Sequence, residues 1–414
     1  MAQLPPDQAA IDEPAIHPLQ GVRVLDLSRV LAGPWCTMTL GDLGADIVKV
    51  EHPEGGDDTR GWAPPSIGGE SAYFICANRN KRSVAVDISR PEGQEIIRRL
   101  ALDSDVLVEN FRAGALGRYG LDYERIRELN PRIIYCSISG YGRSSPMADR
   151  PGYDFVIQAE GGLMSITGEV DGPPMKVGVA VADLFSGMNA TQAILAALIA
   201  RGRTGRGQHI DIALIDGQIA MLANVASACL VSGKRPGRYG NAHATTVPYQ
   251  IFETSDADIA LAIGNDRQFA ILCRAVLGLP ELVEDERFRT NSARVRNRGE
   301  LLPVLQARFK EGRRASWLQK LLAAGLPAGS VRGVDEALAA PEVAARGMVE
   351  EIDHPTAGRI RLIGSPLKLS DTPIRKPSAP PLLGQHTREI LRGRLDYSDE
   401  VLEALEEAGI IAPS

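Results

Sequence analysis

Apolar positions along the chain follow two alternating rhythms. The segment from Gly21 to Ser28 reads Gly-Val-Arg-Val-Leu-Asp-Leu-Ser, which predicts a buried strand, and the Gly33-Pro34 turn after it opens a helix over 35–43. The pattern then repeats, with strands over 46–51, 83–88, 106–109 and 133–137 and helices over 91–102 and 123–130. Strands that alternate with helices predict a parallel sheet with crossover helices, whose ligands sit in loops beyond the carboxyl ends of the strands. Past Pro151 the pattern predicts a helix over 184–200, a Gly- and Arg-rich turn over 201–208, and a strand from the alternation of Ile210, Ile212 and Leu214. One long apolar helix over 216–231 and a linker over 233–240 follow. Strands near 249–253 and 259–263, with helices near 268–276 and 300–309, then form a smaller α+β unit. A Pro-rich passage over 371–381 precedes a final acidic helix over 398–408.

A chain of 414 residues can bury a substantial core in two or three domains. Its 44% hydrophobic and 24% charged residues match soluble globular proteins. The net charge of -6 opposes a nucleic-acid partner, so any anionic ligand must be held by local basic residues. The five cysteines lie far apart without a CxxC pair and read as small buried side chains in a reducing compartment. No signal-peptide pattern precedes Pro18, and the longest strongly apolar stretch, around 193–200, is too short to span a bilayer. A cytoplasmic protein with no membrane partner is expected.

The first strand runs into Arg-Val-Leu-Ala-Gly-Pro-Trp instead of a GxGxxG turn, which excludes the usual dinucleotide-binding design. No phosphate-cradling GxxxxGK[ST] loop, HExxH helix or GxSxG elbow occurs, and the histidines lack metal-ligand spacing.

Asp183 stands between a short apolar strand and the helix expected from Leu184, at the N-cap position. As a plain cap, its carboxylate would satisfy orphan helix amides and contribute ~1 kcal/mol. The same geometry would keep it ionised at neutral pH, and an ionised carboxylate beside a loop is a candidate covalent nucleophile. Residue patterns leave these two readings open.

The chain resembles the class III (CaiB/BaiF) CoA-transferases from about Leu19 onward. The resemblance is carried by DLSRVLAGPW, LGADIVKVE, NRNKRSVAVD, VENFRAGAL, LNPRIIYCSISGYG, GYDFVIQAEGGLMSITG, VADLFSG and PPLLGQHT. VLAGPW, GDDTR, NRNK, the segment near His243 and PPLLGQHT point to the dicarboxylate branch related to succinate–hydroxymethylglutarate CoA-transferase. The resemblance implies that Asp183 is the catalytic aspartate, acylated by a thioester and then carrying CoA, with CoA entering as part of the substrate and no tightly bound cofactor.

It also implies that two clusters contact CoA: Arg79, Asn80, Lys81 and Arg82, then Asn110, Phe111 and Arg112 with Arg118 nearby, Phe111 being placed to stack on adenine. Each basic residue alone reads equally as a solvated surface charge. Beside the Ala32-Gly33-Pro34 turn this chain has Leu31 where formyl-CoA transferase has a glutamine, so that polar contact is absent. The glycine-rich loop of that relative corresponds here to Gly240-Asn-Ala-His-Ala-Thr-Thr246, leaving His243 and Thr245 as candidates for contact with the acid substrate, or His243 as an ordinary loop histidine. Tyr153 replaces the catalytic histidine of the α-methylacyl-CoA racemases, which favours transfer over racemisation, and Asp154 is a candidate for orienting the surroundings of Asp183.

The expected architecture is α/β. A Rossmann-like large domain over 19–215 is completed by a C-terminal segment over 326–414, with a helix and linker over 216–240, an inserted α+β domain over 241–325 and an extension over 1–18. An interlocked homodimer is implied by the resemblance. The expected reaction moves CoA from succinyl-CoA or a similar acyl-CoA to a carboxylic, preferentially dicarboxylic, acid. The alternatives are an acyl-CoA racemase or intramolecular CoA-transferase of the same fold, and a CoA-binding module without catalysis.

Overall fold

A computed structural model of the chain describes residues 16–413, and most of the expected extension lies outside the described residues. The chain divides into two compact units, one of residues 16–161, 178–223 and 344–413 and the other of residues 162–177 and 224–343.

The first unit is built on strands β1 (Arg23–Asp26), β2 (Asp46–Glu51), β3 (Lys81–Ala85), β4 (Val106–Glu109), β5 (Ile134–Ser139) and β6 (His209–Ala213). They form one six-stranded sheet in the order β3-β2-β1-β4-β5-β6, with every pairing parallel. Leu25 lies opposite Val48 on one side and Leu107 on the other, and all three are buried. Near-continuous apolar strands of this kind suit a sheet covered on both faces. Leu25, Val48, Leu107 and Tyr135 face a core closed by Ile96, Ile97 and Leu100 of α2 (Pro91–Leu102) and by Ile390, Leu391, Leu402 and Ile411 of the C-terminal segment. Val24, Ile47, Val106 and Ile134 face the opposite core, closed by Cys36 and Leu40 of α1 (Ala32–Asp42) and by Ala190, Ile194 and Ala197 of α5 (Val181–Thr204). Between them in the chain lie α3 (Tyr123–Leu129) and α4 (Asp154–Glu160), and α6 (Leu214–Met221) follows β6.

Several expected elements are redrawn. The helix placed over 184–200 is α5, whose 24 residues are long and apolar enough to cross a membrane by length and composition. The apolar stretch near 193–200 is therefore only part of its C-terminal half. Within the unit α5 packs against α1, and a Cβ added at Gly187 would lie 2.6 Å from the Ala32 carbonyl oxygen, so the close approach requires glycine there. Leu214 opens α6 instead of closing β6. The single helix expected over 216–231 is two, Leu214–Met221 and Ala223–Ser232, separated where Ala223 takes a φ of 42°. Apolar periodicity does not register one residue leaving the helical region. Cys36, Cys136 and Cys273 are buried, but Cys76 is exposed and Cys229 half-buried. Cys76 lies on the short helix Ala72–Ala77, whose buried face is taken by Phe74, Ile75 and Ala77.

The second unit holds a three-stranded antiparallel sheet, with Asp258–Ala262 between Tyr249–Glu253 and Ala328–Ser330. Phe252, Phe269, Phe309 and Trp317 form its core. The helix expected over 268–276 begins at Asp266 and passes after Ile271 into a π-helical turn, Leu272–Leu277.

Candidate active site

The connection from β1 to α1 is fixed residue by residue. Asp26, at the end of β1, accepts hydrogen bonds from the Ser28 amide at 2.9 Å, the Ser28 and Thr37 hydroxyls, and Lys81 Nζ at 3.1 Å. Burial favours its protonated form, but Lys81, Lys49 and the two hydroxyl donors outweigh that and hold the carboxyl below its ordinary value. The Arg29 amide donates to Asn110 Oδ1 at 2.8 Å, and Asn110 Nδ2 returns a bond to the Arg29 carbonyl at 2.7 Å, tying the loop after β1 to the loop after β4. Val30 has a φ of 70°, and its amide donates to both carboxylate oxygens of Asp57 at 3.2 and 3.3 Å. Leu31 and Ala32 then begin α1.

β1 and β4 flank the point where the strand order reverses, the place where open α/β sheets form a crevice. A cavity of about 500 Å³ lies there, lined by Leu31, Ala32, Asn110, Phe111, Arg112, Arg118, Tyr153 and Asp183, together with Arg29, Asp58, Ser139 and Arg150. Its size is that of a small-molecule site. Arg112 and Arg118 are exposed, and among the described residues neither forms an ion pair. Arg29 and Arg150, by contrast, pair with Asp58 at 3.1 Å and Glu160 at 2.7 Å.

Asp183 is not the N-cap of its helix. α5 starts at Val181, so Asp183 is the third helical residue, and the orphan amides are served by Asp154, whose Oδ1 accepts from the Ala182 amide at 2.8 Å and the Asp183 amide at 3.4 Å. Asp154 Oδ2 accepts from Gln158 Nε2 at 2.7 Å. The Asp183 carboxylate itself has neither a hydrogen bond nor an ion pair among the described residues. Its expected ionisation is also corrected: burial, and then the negative charge of Asp154, push its pKa up to about 7. A carboxyl without donors in a half-buried position outweighs the favourable helix end.

The cluster at 79–82 is tied to other side chains, with Arg79, Asn80 and Lys81 buried and Arg82 half-buried. Arg79 donates from Nε to Asp42 Oδ1 at 2.8 Å and from Nη1 to the Ile363 carbonyl at 2.9 Å. Asn80, at a φ of 62°, bonds Asp42 and the Ser378 amide. Lys81 is fully buried on Asp26, Asn78 Oδ1 and the Pro34 carbonyl, and Arg82 grips Asp46 with two bonds of 2.7 Å. None of the four lines the cavity, and each finds its partners inside the unit. His243 and Thr245 belong to the second unit, where His243 Nδ1 accepts from the Thr245 amide at 3.2 Å and its ring packs 5.3 Å from that of Tyr249.

Sequence reasoning missed Tyr73, Asp57 and Lys49. Burial, followed by the charge of Asp183, pushes the Tyr73 phenol up to about 12, placing it in the field of that carboxylate. Tyr73 stands in no recognisable motif. Asp57 lies in the GDDTR segment, whose two adjacent acids and one base were the available signal.

The model of CoA-transferase family III matches residues 19–387. A mouse succinyl-CoA:glutarate CoA-transferase is 47% identical over 397 residues, covering 96% of this chain and 91% of that protein. A succinate–glutarate CoA-transferase of Agrobacterium fabrum is 46% identical over 380 residues, covering 90% of this chain and 95% of the other. Among solved structures, a CaiB/BaiF family protein from Brucella suis superposes with a TM-score of 0.82 at 47% identity, covering 92% of this chain and all of the other.

Proposed function

Because the chain belongs to CoA-transferase family III and is a CoA-transferase, we propose that Asp183 is its nucleophile and that it exchanges CoA between succinyl-CoA, or a similar short acyl-CoA, and a dicarboxylic acid such as glutarate. The observation that carries this reading is a carboxylate without cation or donor, half-ionised near neutral pH, in a cavity whose exposed Arg112 and Arg118 have charges left for an anionic ligand. The substrates follow from the names of the mouse and Agrobacterium relatives. Homodimeric assembly, cytoplasmic location, an inserted second domain and the absence of any cofactor beyond substrate-borne CoA belong to the same proposal.

In the first step an Asp183 oxygen attacks the thioester carbonyl carbon, the C–S bond breaks and CoA leaves as thiolate, giving a mixed anhydride. The thiolate then attacks the Asp183 carbonyl carbon, which forms an aspartyl thioester and releases the donor acid. The acceptor carboxylate attacks that carbon and expels the thiolate again. Attack of the thiolate on the new acyl carbonyl completes acyl-CoA and restores Asp183. An elevated pKa keeps the carboxylate a stronger nucleophile than a solvated aspartate while leaving much of it ionised at pH 7. Asp154 fixes the helix end that carries it, and Phe111 and Tyr153 offer rings to the cavity.

The test is Asp183→Ala. Exchange between succinyl-CoA and glutarate is expected to fall by roughly 10³-fold or more, with CoA binding retained. In the parent enzyme, mass spectrometry should find CoA attached to Asp183 after mixing with succinyl-CoA. Exchange at the parent rate in the variant would remove the nucleophile from this account.

A further inference from the structure

Among the described residues, four non-glycine residues take positive φ, namely Val30, Asn80, Ala223 and Asp396. Asn and Asp visit this region readily, whereas a β-branched residue there is a true outlier that persists only where its surroundings over-determine it. Val30 is such a residue, and it stands immediately before two residues that line the cavity of Asp183.

What holds Val30 is fully buried. Asp57 takes the Val30 amide on both oxygens, and Lys49 Nζ bridges Asp57 Oδ2 and the Ser28 carbonyl at 2.8 Å each. Lys49 and Asp57 are 0% and 1% exposed. Asp57 in turn accepts from the Thr59 amide at 3.0 Å and hydroxyl at 2.8 Å, and its own amide donates to Glu51, which Arg60 grips with two bonds of 2.8 Å. Within the GDDTR segment Asp57 thus spends its carboxylate on Lys49, on Thr59 and on one strained amide, while Asp58 and Arg60 turn to Arg29, Glu51 and Glu70. A buried ion pair is a costly way to stabilise a fold, since an apolar pair of similar shape does as well or better. Its specific product here is the backbone direction at Val30.

We infer that Asp57, backed by Lys49, is a positioning residue for acyl transfer: it locks Val30 in the left-handed conformation and so sets the backbone of Leu31 and Ala32 against Asp183. The link to α5 is direct, because Ala32 packs against Gly187, one turn beyond Asp183. Without the Asp57 acceptor, Val30 relaxes to negative φ and carries the cavity wall with it. This inference rests on the proposed role of Asp183.

The experiment replaces the ion pair without stranding a charge. Lys49→Met with Asp57→Leu keeps the branching of both side chains and removes the acceptor, whereas Lys49→Met with Asp57→Asn keeps an acceptor. For the leucine pair, kcat for succinyl-CoA and glutarate exchange is expected to fall about 100-fold, with KM for succinyl-CoA within about threefold of the parent. The asparagine pair should recover at least tenfold of that loss. So should Val30→Gly added to the leucine pair, because glycine holds positive φ without a clamp. A purely structural role would lower the denaturation midpoint without this rescue by glycine. Parent-level kcat in the leucine pair, or no recovery with glycine, overturns the inference. Should the leucine pair not fold, Val30→Pro keeps the ion pair but removes the amide and forbids positive φ; it is expected to show the same fall, and parent-level kcat there is equally fatal. Asp183→Ala measured alongside separates the two ideas: activity in that variant sinks the site, and normal activity in the leucine pair with a dead Asp183→Ala sinks only the positioning role.

Discussion

Two regions of the first unit carry similar densities of charge and use them in opposite ways. Beneath the first three strands, Lys49, Lys81 and Arg79 are buried and each meets a buried carboxylate, Asp57, Asp26 and Asp42 respectively. At the cavity Arg29 and Arg150 are paired, but three charges are left unmatched: Arg112 and Arg118 are exposed without acidic partners, and Asp183 has no cation, among the described residues. Matched interior charge is finished business, since its hydrogen bonds are already made and its desolvation already suffered. Unmatched charge around a cavity is where a ligand with the complementary groups has something to gain. Charge alone therefore does not mark a site, whereas charge without an internal partner does.

The comparison breaks most visibly at Arg79. Arg79→Ala leaves Asp42 buried with only Asn80 for company, and loss of one partner of a buried pair costs about 3–5 kcal/mol of folding stability. The expected signature is a large fall in denaturation midpoint, with KM for succinyl-CoA close to that of the parent. Arg112→Ala should behave in reverse. Stability is expected to stay within about 0.5 kcal/mol, as for a surface substitution, while KM for succinyl-CoA rises about tenfold through loss of a charge-assisted contact. That penalty should shrink as salt is raised. Arg79→Ala with intact stability and a raised KM would mean that the cluster at 79–82 serves the ligand after all.

The sheet was legible because short apolar stretches recur between turns and helices, and Asp46–Glu51, Val106–Glu109 and the helix Pro91–Leu102 lie where periodicity places them, whereas the strand expected over 83–88 is Lys81–Ala85. Arg79 to Arg82 misled for a physical reason. Their partners Asp26, Asp42 and Asp46 lie 36 or more residues earlier, so the pairing belongs to the fold and leaves no local trace. Asp183 was legible as a carboxylate at a helix start, but its protonation was not. That depends first on the burial of its carboxyl by the fold and then on the negative charge of Asp154, 29 residues away. Tyr73 left no signal of its own, and the clamp on Val30 left only the paired acids of GDDTR, since neither a field from a distant carboxylate nor a positive φ at a valine is written in residue type.

The finest distinction lies between two half-hidden or hidden carboxyls whose pKa values move in opposite directions. Asp57 is held down to about 2, mainly because Lys49 outweighs its burial, so its contribution to stability is present above the unfolded value of 3.8 and is lost only as pH falls toward 2. Asp183 is pushed up from 3.8 to about 7, so the folded state favours its protonated form. The stability linked to it is fully present below pH 3.8 and is lost as pH rises through 7. Asp183→Asn should therefore leave stability unchanged at pH 4 and raise it at pH 8, by on the order of 1 kcal/mol once solvent screening is allowed for. Denaturant titrations at the two pH values measure the difference. A gain of equal size at both would show that the substitution merely improved packing, and a loss at pH 8 would mean that the Asp183 carboxylate is matched by a cation after all, erasing the contrast between cavity and interior.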